Sequence, residues 1–510
     1  MSEILQNKLV KCREILAAGG SVPLEDRISV AVLADSPTVV TGFGNVCREV
    51  LDMLYATGMY SFEIVGINYD GSPHALPYKI YPAFNGLMQD SSYRDVFGRQ
   101  RYLDLLGEGR FDIAWVLQDS FIVGEGLAER IVETNVGLPA DKKFHFIYYF
   151  PIDATPKKSW IDKSVMLADF PVVYTKYGYD EVMKLYAVDE NSKLKEEQKE
   201  KNIEDKKLLE NKLNIIYHGC NLSTFSEIED KEYVKALRER FWGVHKDKFV
   251  FMNVNRNQPR KDIFRTMQAF KILLDRRRAK GKDDVYLYLH CSIYDTGLYL
   301  IDMGKQLQLT EGDEYAHPDP KIFAASSGFP ISVLNELYNA SDAIISTTLG
   351  EGWGLSLTEG LAVGKPVIAP DHTSIPEILG KTAGGTGERG VIVKTNGTFV
   401  QHDDNSRIRP ITDVEDLADK MEWVVENRDQ LGSMIEKGKE WVKKLEWSGQ
   451  EVGAKWMALF EQAYEQSVAR RALEVDNLIA KALKEKKIGR NDECPICLTK
   501  YKHCRHYEQA

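Results

Sequence analysis

The chain has 510 residues, 43% of them hydrophobic, and a formal net charge of −10. This length predicts two to four domains with substantial cores. The acidic balance argues against nucleic acid or an anionic membrane surface as the main partner. No apolar run approaches the roughly 18 residues of a membrane span, and the charged N-terminus is not typical of a secretion signal. The seven cysteines do not form a secreted disulfide framework, so a cytoplasmic setting is expected.

The first half of the chain predicts a doubly wound parallel sheet, because buried strand patterns alternate with helical patterns. A glycine turn, Gly42 and Gly44, follows the first strand and precedes an amphipathic helix over 45–55. A charged run over 189–212 predicts either a solvated helical insertion or a disordered loop. The predicted strands are Ile28–Ala34, Phe62–Ile67, Phe111–Leu117, Phe144–Phe150, Pro171–Thr175 and the start of Leu213–His218.

A second alternating series begins after a junction near residue 220. Helices are predicted over 262–280 and 413–427, where apolar residues recur at helical spacing. Ligands of such sheets bind at the carboxyl ends of the strands, so two facing sheets place a site in the cleft between them. The predicted strands are Phe249–Val254, Val285–Cys291, Ala343–Thr347, Pro366–Ala369 and Gly390–Val393.

The segment 342–378 carries the most specific pattern of the chain. A buried strand leads into a glycine-rich turn containing Glu351, a helix follows over 355–363, and a second strand completes a βαβ unit. Backbone N–H groups and the positive end of the helix dipole meet in such a turn and favour an anion. Two acids, Glu351 and Glu359, suit a ligand that also offers hydroxyl groups, such as a sugar and a ribose. The alternative is an ordinary βαβ unit with two solvated glutamates.

This segment resembles the C-terminal domain of GT-B glycosyltransferases, in particular the retaining family four. The carrier of the resemblance is Glu-Gly-Trp-Gly-Leu-Ser-Leu-Thr-Glu over 351–359, followed by Gly364 and the pair Pro376-Glu377. The resemblance implies an α/β chain of two Rossmann-like domains facing a cleft. It implies that Glu351 binds sugar hydroxyls and that Glu359 binds ribose hydroxyls. The other residues that it places at the donor are Gly352, Trp353, Gly354 and Leu355.

Arg256 and Lys261 follow a buried strand and resemble the phosphate clamp of the same family. Fixed cations aimed at a leaving diphosphate lower the barrier to sugar transfer. Arg260 is an alternative to Lys261, and an exposed basic loop is the alternative to the clamp. The chain has no Asp-x-Asp sequence, so no catalytic metal is expected at the transfer site.

In the N-terminal half the resemblance places Gly42 and Gly44 near the donor phosphates and the acceptor. A plain βα turn is the alternative. The resemblance also makes Asp153 a candidate for contacting acceptor or donor hydroxyls, and the alternative is a helix-capping or loop aspartate. His218 matches a structural element of the hinge between the domains. The pair Gln118-Asp119, after another strand, has no assigned role.

The resemblance implies a retaining transfer from a nucleotide-diphosphate sugar to an acceptor hydroxyl, with Glu351, Asp153, Arg256 and Lys261 in the catalytic roles. The acceptor could be a saccharide, a lipid-linked sugar or a protein. A catalytically silent GT-B scaffold and a GT-B epimerase remain alternatives. The expected divisions are an acceptor domain over 1–220, a nucleotide-sugar domain over 221–446, a helix that crosses back with a helical linker over 447–487, and a tail over 488–510.

The tail contains four residues that can make a tetrahedral Cys₃His zinc site, namely Cys494, Cys497, Cys504 and His506. It resembles the zinc tail of the SecA translocation ATPase, although that tail's Cys-x-Cys is here Cys-x-x-Cys and the third ligand is closer. His503 could replace His506. A structural zinc is expected, and because so short a unit has almost no core, the tail should be unfolded without the metal. The tail is also a candidate binding site for a protein partner, and a disordered tail with free thiols is the alternative.

Overall fold

The computed structural model describes residues 7–84, 95–188, 194–323, 328–400 and 404–484. Its described strands form two parallel sheets and one separate antiparallel hairpin. The strands of the first sheet are β1 Ile28–Asp35, β2 Tyr60–Ile67, β3 Lys79–Pro82, β4 Ile113–Leu117, β5 His145–Phe150, β6 Phe170–Val173 and β7 Asn214–Ile215. Those of the second are β8 Phe249–Val254, β9 Val285–His290, β10 Tyr315–Ala316, β11 Ala343–Ile345, β12 Val367–Pro370 and β13 Val391–Val393. The hairpin consists of β14 Thr395–Val400 and β15 Ile408–Thr412.

Helices connect the strands and cover both sheets. Those of the first half are α1 Lys8–Ala17, α2 Gly42–Ala56, α3 Arg99–Gly107, α4 Ser120–Val123, α5 Leu127–Gly137, α6 Lys158–Asp162, α7 Lys176–Lys184 and α8 Glu196–Lys212. Those of the second half are α9 Lys231–Trp242, α10 Ile263–Ala279, α11 Leu300–Gln306, α12 Ile331–Ala340, α13 Leu355–Ala362, α14 Ile375–Leu379, α15 Val414–Glu426, α16 Gly432–Lys443 and α17 Gly453–Lys484. Among the described residues, no helix is both long and apolar enough to cross a membrane.

Both sheets are doubly wound, as predicted. The first has the order β3-β2-β1-β4-β5-β6-β7 and the second the order β10-β9-β8-β11-β12-β13. In each sheet the chain reverses its direction of travel across the sheet after the third strand. Ligands of such sheets bind at that reversal, outside the carboxyl ends of the two central strands. The topology therefore selects the loops after β1 and β4 in the first sheet and after β8 and β11 in the second.

Most predicted strands agree with the structure to within two residues, and β8 agrees at both ends. The charged run over 189–212 contains α8, whose buried residues are Asp205 and Leu209, so its described part is a helix with a solvated face. The strand begun at Leu213 is only two residues long. The hairpin of β14 and β15 was not predicted.

The end of the described chain packs against the first sheet. Trp456 and Phe460 of α17 contact Trp115 of β4, with ring centroids 6.0 and 6.2 Å apart. Near the junction of the two sheets, a Cβ on Gly219 would lie 2.3 Å from the Trp447 ring, so only glycine fits there. A core that draws on both halves of the chain continues beneath the cleft.

Candidate donor site at the reversal points of two sheets

The turn between β11 and α13 is the centre of the candidate site. Gly354 directly precedes α13 with a φ of +113°, which glycine adopts without strain, and no side chain caps the helix. The other two glycines of the turn allow the domains to touch. A Cβ on Gly350 would lie 2.1 Å from the carbonyl oxygen of Asp153, and one on Gly352 would lie 2.7 Å from Pro151. The turn thus presents an uncapped helix N-terminus beside the first domain.

Glu351 lies in this turn and is buried. Lys261 Nζ donates a hydrogen bond to Glu351 Oε1, and Arg260 Nη1 lies 3.7 Å from Oε2. Burial alone would raise the pKa of Glu351, but Lys261 and Arg260 hold it below its usual range. The carboxylate is therefore ionised and ready to accept hydrogen bonds from hydroxyl groups.

Glu359 lies in the second turn of α13, where Tyr338 OH donates a hydrogen bond of 2.6 Å to its carboxylate. Burial raises the pKa of Glu359 to about 7. Unlike Glu351, it has no cation beside it among its described contacts. The two glutamates of the motif therefore differ in charge state near neutral pH.

The loop after β8 carries the predicted clamp. Arg256 makes two hydrogen bonds of 3.0 Å with Asp295, which lies on the loop after β9. The buried Asn257 fixes the two loops together, since its Nδ2 donates to Leu298 O at 2.8 Å and its carbonyl accepts from Gly297 N at 2.7 Å. The structure therefore brings Lys261 and Glu351 together. Arg256 instead pairs with Asp295 of the neighbouring loop, and its side chain is 44% exposed.

The glycine turn after β1 faces this region from the first domain. Thr41 Oγ1 donates to Asp35 at 2.6 Å and accepts from Gly44 N–H at 3.0 Å, which caps α2. A Cβ on Gly44 would lie 2.5 Å from a backbone oxygen, so that position requires glycine. A Cβ on Gly42 would lie 3.7 Å from Leu355, the first residue of α13. The predicted Gly42 and Leu355 therefore meet across the cleft.

Asp153 follows β5 and is surrounded by arginines. Its carboxylate lies 2.8 Å from Arg407 Nη1, 3.3 Å from Arg409 Nη2 and 3.5 Å from Arg260 Nε. Burial would raise its pKa, but the three guanidinium groups hold the pKa below the usual range. In the structure Asp153 connects the two domains as an ionised carboxylate.

Sequence reasoning left Asp119 unassigned, although it follows β4 at the reversal point of the first sheet. Burial, followed by repulsion from Asp153, raises the pKa of Asp119 to about 7. In the described part of the chain its carboxylate has no hydrogen-bond or ion-pair partner. The topological position was the available signal for this residue. Nothing in the sequence indicated Arg407 or Arg409, which belong to the hairpin loop and strand.

Two histidines near the site are neutral. His218 Nδ1 lies 2.6 Å from Tyr149 OH, and burial lowers its pKa to about 3. Its ring also lies 5.7 Å from that of Trp353, so it packs at the junction of the domains. His372, after β12, has a pKa lowered to about 4 by burial. Both therefore act as uncharged groups at neutral pH.

No group of three or more metal-binding side chains occurs among the residues that the structure describes. The predicted zinc ligands Cys494, Cys497, Cys504 and His506, and the alternative His503, lie outside the described residues.

A segment of the chain matches the model of a known protein family. Residues 329–398 match the model of the family Glycosyl transferases group 1. Alpha-1,3/1,6-mannosyltransferase ALG2 of Dictyostelium discoideum is 31% identical over 136 residues, which cover 25% of this chain and 30% of that protein. Trehalose synthase of Thermococcus litoralis is 26% identical over 218 residues, which cover 43% of this chain and 45% of that protein. The alignments thus span less than half of each relative's length.

A solved structure shares the fold over nearly the whole chain. Sucrose-phosphate synthase from Thermosynechococcus elongatus superposes with a TM-score of 0.59 at 14% identity, covering 87% of this chain and 100% of that chain. At this identity the likeness concerns the fold alone. Over residues 329–398 this chain is therefore similar to the family Glycosyl transferases group 1, and over most of its length it shares the fold of the sucrose-phosphate synthase.

Proposed function

We propose that this protein is a retaining glycosyltransferase that moves a hexose from a nucleotide-diphosphate sugar to an acceptor hydroxyl. The observation that carries the proposal is the ion pair of the buried Glu351 with the half-buried Lys261, beside the uncapped N-terminus of α13. One acid, one cation and an open helix end suit a ligand that has both hydroxyl groups and phosphates. Relatives named as a mannosyltransferase and a trehalose synthase fit this class of reaction.

In the proposed donor complex the diphosphate lies at the N-terminus of α13, near Gly352, Trp353, Gly354 and Leu355. Lys261 exchanges Glu351 for a phosphate oxygen, and Arg256 exchanges Asp295 in the same way. Glu351 is then free to accept hydrogen bonds from the sugar hydroxyls. Glu359 accepts hydrogen bonds from the ribose. Gly42 and Gly44 allow the backbone of the first domain to approach the phosphates closely.

The acceptor enters from the first domain in this proposal. Asp119 supports the assignment, because it is a half-buried carboxyl group at the reversal point of that sheet and has no partner among the described residues. A carboxyl group with a pKa near 7 can accept a hydrogen bond from a hydroxyl group of the acceptor substrate when it is ionised, and can donate one when it is protonated. Asp153 lies beside it and keeps its predicted role near the reacting face, with its orientation set by arginines.

Retention follows a front-face route in the proposal. The bond from the anomeric carbon to the diphosphate breaks, and the acceptor oxygen bonds to the same face of that carbon. The acceptor proton passes to the leaving phosphate oxygen. Arg256 and Lys261 stabilise the negative charge that develops on that leaving group. This route needs no metal at the transfer site and no covalent nucleophile.

We further propose that the tail binds one structural zinc through Cys494, Cys497, Cys504 and His506. Three thiolates and one imidazole are a common tetrahedral zinc set. The tail would then serve to bind a partner or acceptor in the cytoplasm, separately from the transfer site.

A panel of nucleotide-diphosphate sugars, incubated with and without an acceptor mixture, tests the function. Release of nucleoside diphosphate that depends on acceptor supports transfer. Release or rearrangement without acceptor would favour epimerase or hydrolase chemistry. Tight nucleotide binding without turnover under any condition would favour the silent scaffold.

A further inference from the structure

The hairpin of β14 and β15 stands apart from both parallel sheets. It lies between β13 and α15, and its strands pair antiparallel, with Val400 opposite Ile408 and Thr395 opposite Thr412. It forms its own two-stranded sheet. Isolated hairpins of two strands are marginally stable at best. Contacts with the rest of the chain must therefore hold this one in place.

Arg409 makes the most extensive of these contacts. Its side chain is 1% exposed, although a buried guanidinium is costly unless it is fully paired. Its Nη1 donates to the carbonyl oxygen of Asp153 at 2.6 Å, its Nη2 lies 3.3 Å from Asp153 Oδ2, and its Nε donates to Asp404 Oδ2 at 2.6 Å. One side chain of the second domain thus holds both the backbone and the carboxylate of a first-domain residue.

Arg407 makes a second link of the same kind. Its Nη1 lies 2.8 Å from Asp153 Oδ1, and its guanidinium carbon lies 5.8 Å from the centre of the Phe121 ring in α4. Asp404, between the two strands, accepts from both arginines. The hairpin therefore contacts the first domain through charged groups that neutralise one another.

Asp153 also contacts the turn between β11 and α13 that contains Glu351, which we call the donor turn. Arg260 Nε lies 3.5 Å from Asp153, and the close approach at Gly350 is to the carbonyl oxygen that Arg409 holds. Arg260 in turn approaches Glu351. A continuous set of contacts thus runs from the hairpin through Asp153 to the acid of the donor motif.

We propose that Arg409, assisted by Arg407, is a positioning residue that fastens the first domain against the donor turn and so holds the cleft closed for transfer. This inference rests on the proposed function of the cleft. Nucleotide binding by second-domain residues does not need this link. Transfer does, because it requires groups from both domains in register, and a misplacement of about 1 Å can cost about 100-fold in rate.

The test compares Arg409→Met with Arg276→Met in the full chain. Arg276 pairs with Glu415 and Asp419 within the second domain and is more exposed, so its variant removes the same charge without touching the cleft. Amide hydrogen exchange is measured in peptides covering 151–154, 350–354 and β8. We expect faster exchange in the first two peptides for Arg409→Met alone, with β8 unchanged because the domains remain folded.

Kinetics then separate positioning from simple structural support. For Arg409→Met we expect kcat for transfer to fall about 100-fold, while nucleoside diphosphate affinity stays near that of the wild type. Arg409→Lys keeps the charge but cannot bridge the carbonyl and two carboxylates, so it should rescue little. Should Arg409→Met fail to fold, the more exposed Arg407→Gln is measured in its place and should show the same pattern, weaker in size.

Unchanged exchange at 151–154 and 350–354 would overturn the proposed link. Parallel losses of nucleotide affinity, folding and transfer would overturn the positioning role in favour of a purely structural one. A wild-type protein that transfers no sugar would overturn the proposed function instead, and the exchange data would still decide whether Arg409 fastens the domains.

Discussion

Replacing Glu351 with glutamine should separate binding of the nucleotide from transfer of the sugar. In the structure Lys261 is held by Glu351, and the two side chains are only 14% and 11% exposed. A phosphate oxygen that recruits Lys261 must first displace this carboxylate. A hydrogen bond to a charged group contributes about 1.5–3 kcal/mol, against about 1 kcal/mol for a neutral one. Glutamine therefore holds the lysine less tightly by about 0.5–2 kcal/mol.

Because about 1.4 kcal/mol corresponds to a tenfold change, Glu351→Gln should bind nucleoside diphosphate about two- to thirtyfold more tightly than the wild type. Transfer should fall in the opposite direction, by about 100- to 1,000-fold, since the ionised acceptor for the sugar hydroxyls is lost. Titration calorimetry with nucleoside diphosphates and steady-state transfer assays measure the two effects.

The control is Glu415→Gln, which removes an exposed ion pair with Arg276 and should change neither quantity. Affinity that falls together with transfer in Glu351→Gln would refute the exchange of Lys261 between carboxylate and phosphate. Wild-type transfer by the variant would refute the role of Glu351 itself.

Three further outcomes are expected. Arg256→Ala should weaken nucleoside diphosphate binding far more than nucleoside binding, because its partner is phosphate; equal losses in calorimetry would show that the clamp is misassigned. Wild-type nucleotide affinity should rise as pH increases through about 7. The reason is that bound ribose favours ionised Glu359, whose raised pKa means that below this pH the carboxyl group must release a proton before it binds the ribose. Glu359→Gln should lose this pH dependence, and a variant that keeps it would show that another group titrates. The purified chain should contain one zinc, and the double variant Cys494→Ser with Cys497→Ser should abolish zinc binding. Truncation after residue 487 should keep donor turnover, and a folded truncation without turnover would place the tail in the active site.

The same raised pKa sets the sign of a stability effect. Glu359 binds its proton more tightly in the folded protein than in the unfolded chain, so folding is favoured fully below the unfolded pKa, near 4.3. This contribution is lost as pH rises through about 7. Chemical denaturation of the ligand-free protein across this interval should show a smaller loss of stability for Glu359→Gln than for the wild type.

The parallel sheets were predictable because buried β-branched and aromatic runs define each strand without reference to the rest of the chain. The run over 249–254 is an example, since β8 has the predicted ends. The hairpin was not predictable, because the residues of β14 are mostly exposed and polar and carry no buried periodicity. Arg409 of this hairpin contacts Asp153, which lies 256 positions away in the sequence, and no local pattern indicates such a contact.

The candidate site was predictable in part, because the predicted parallel strands bring the loops at their carboxyl ends to one edge. Glu351 and Lys261 lie in loops that the sheet order brings to one edge, and the structure places them in contact. Asp153 was predicted to meet a hydroxyl group, whereas its described partners are three arginines from the second domain. Local sequence cannot show which charges a distant loop will supply. Asp119 could be identified as a candidate only from the strand order, which places the end of β4 at the reversal point of the first sheet.

Acceptor-dependent release of nucleoside diphosphate, followed for the wild type and for Glu351→Gln with the same donor panel, tests the central claim most directly. The account predicts release with at least one nucleotide-diphosphate sugar by the wild type, product with the anomeric configuration of the donor by NMR, and loss of release in Glu351→Gln despite tighter nucleotide binding. Equal release by the two proteins, or product of inverted configuration, would contradict it.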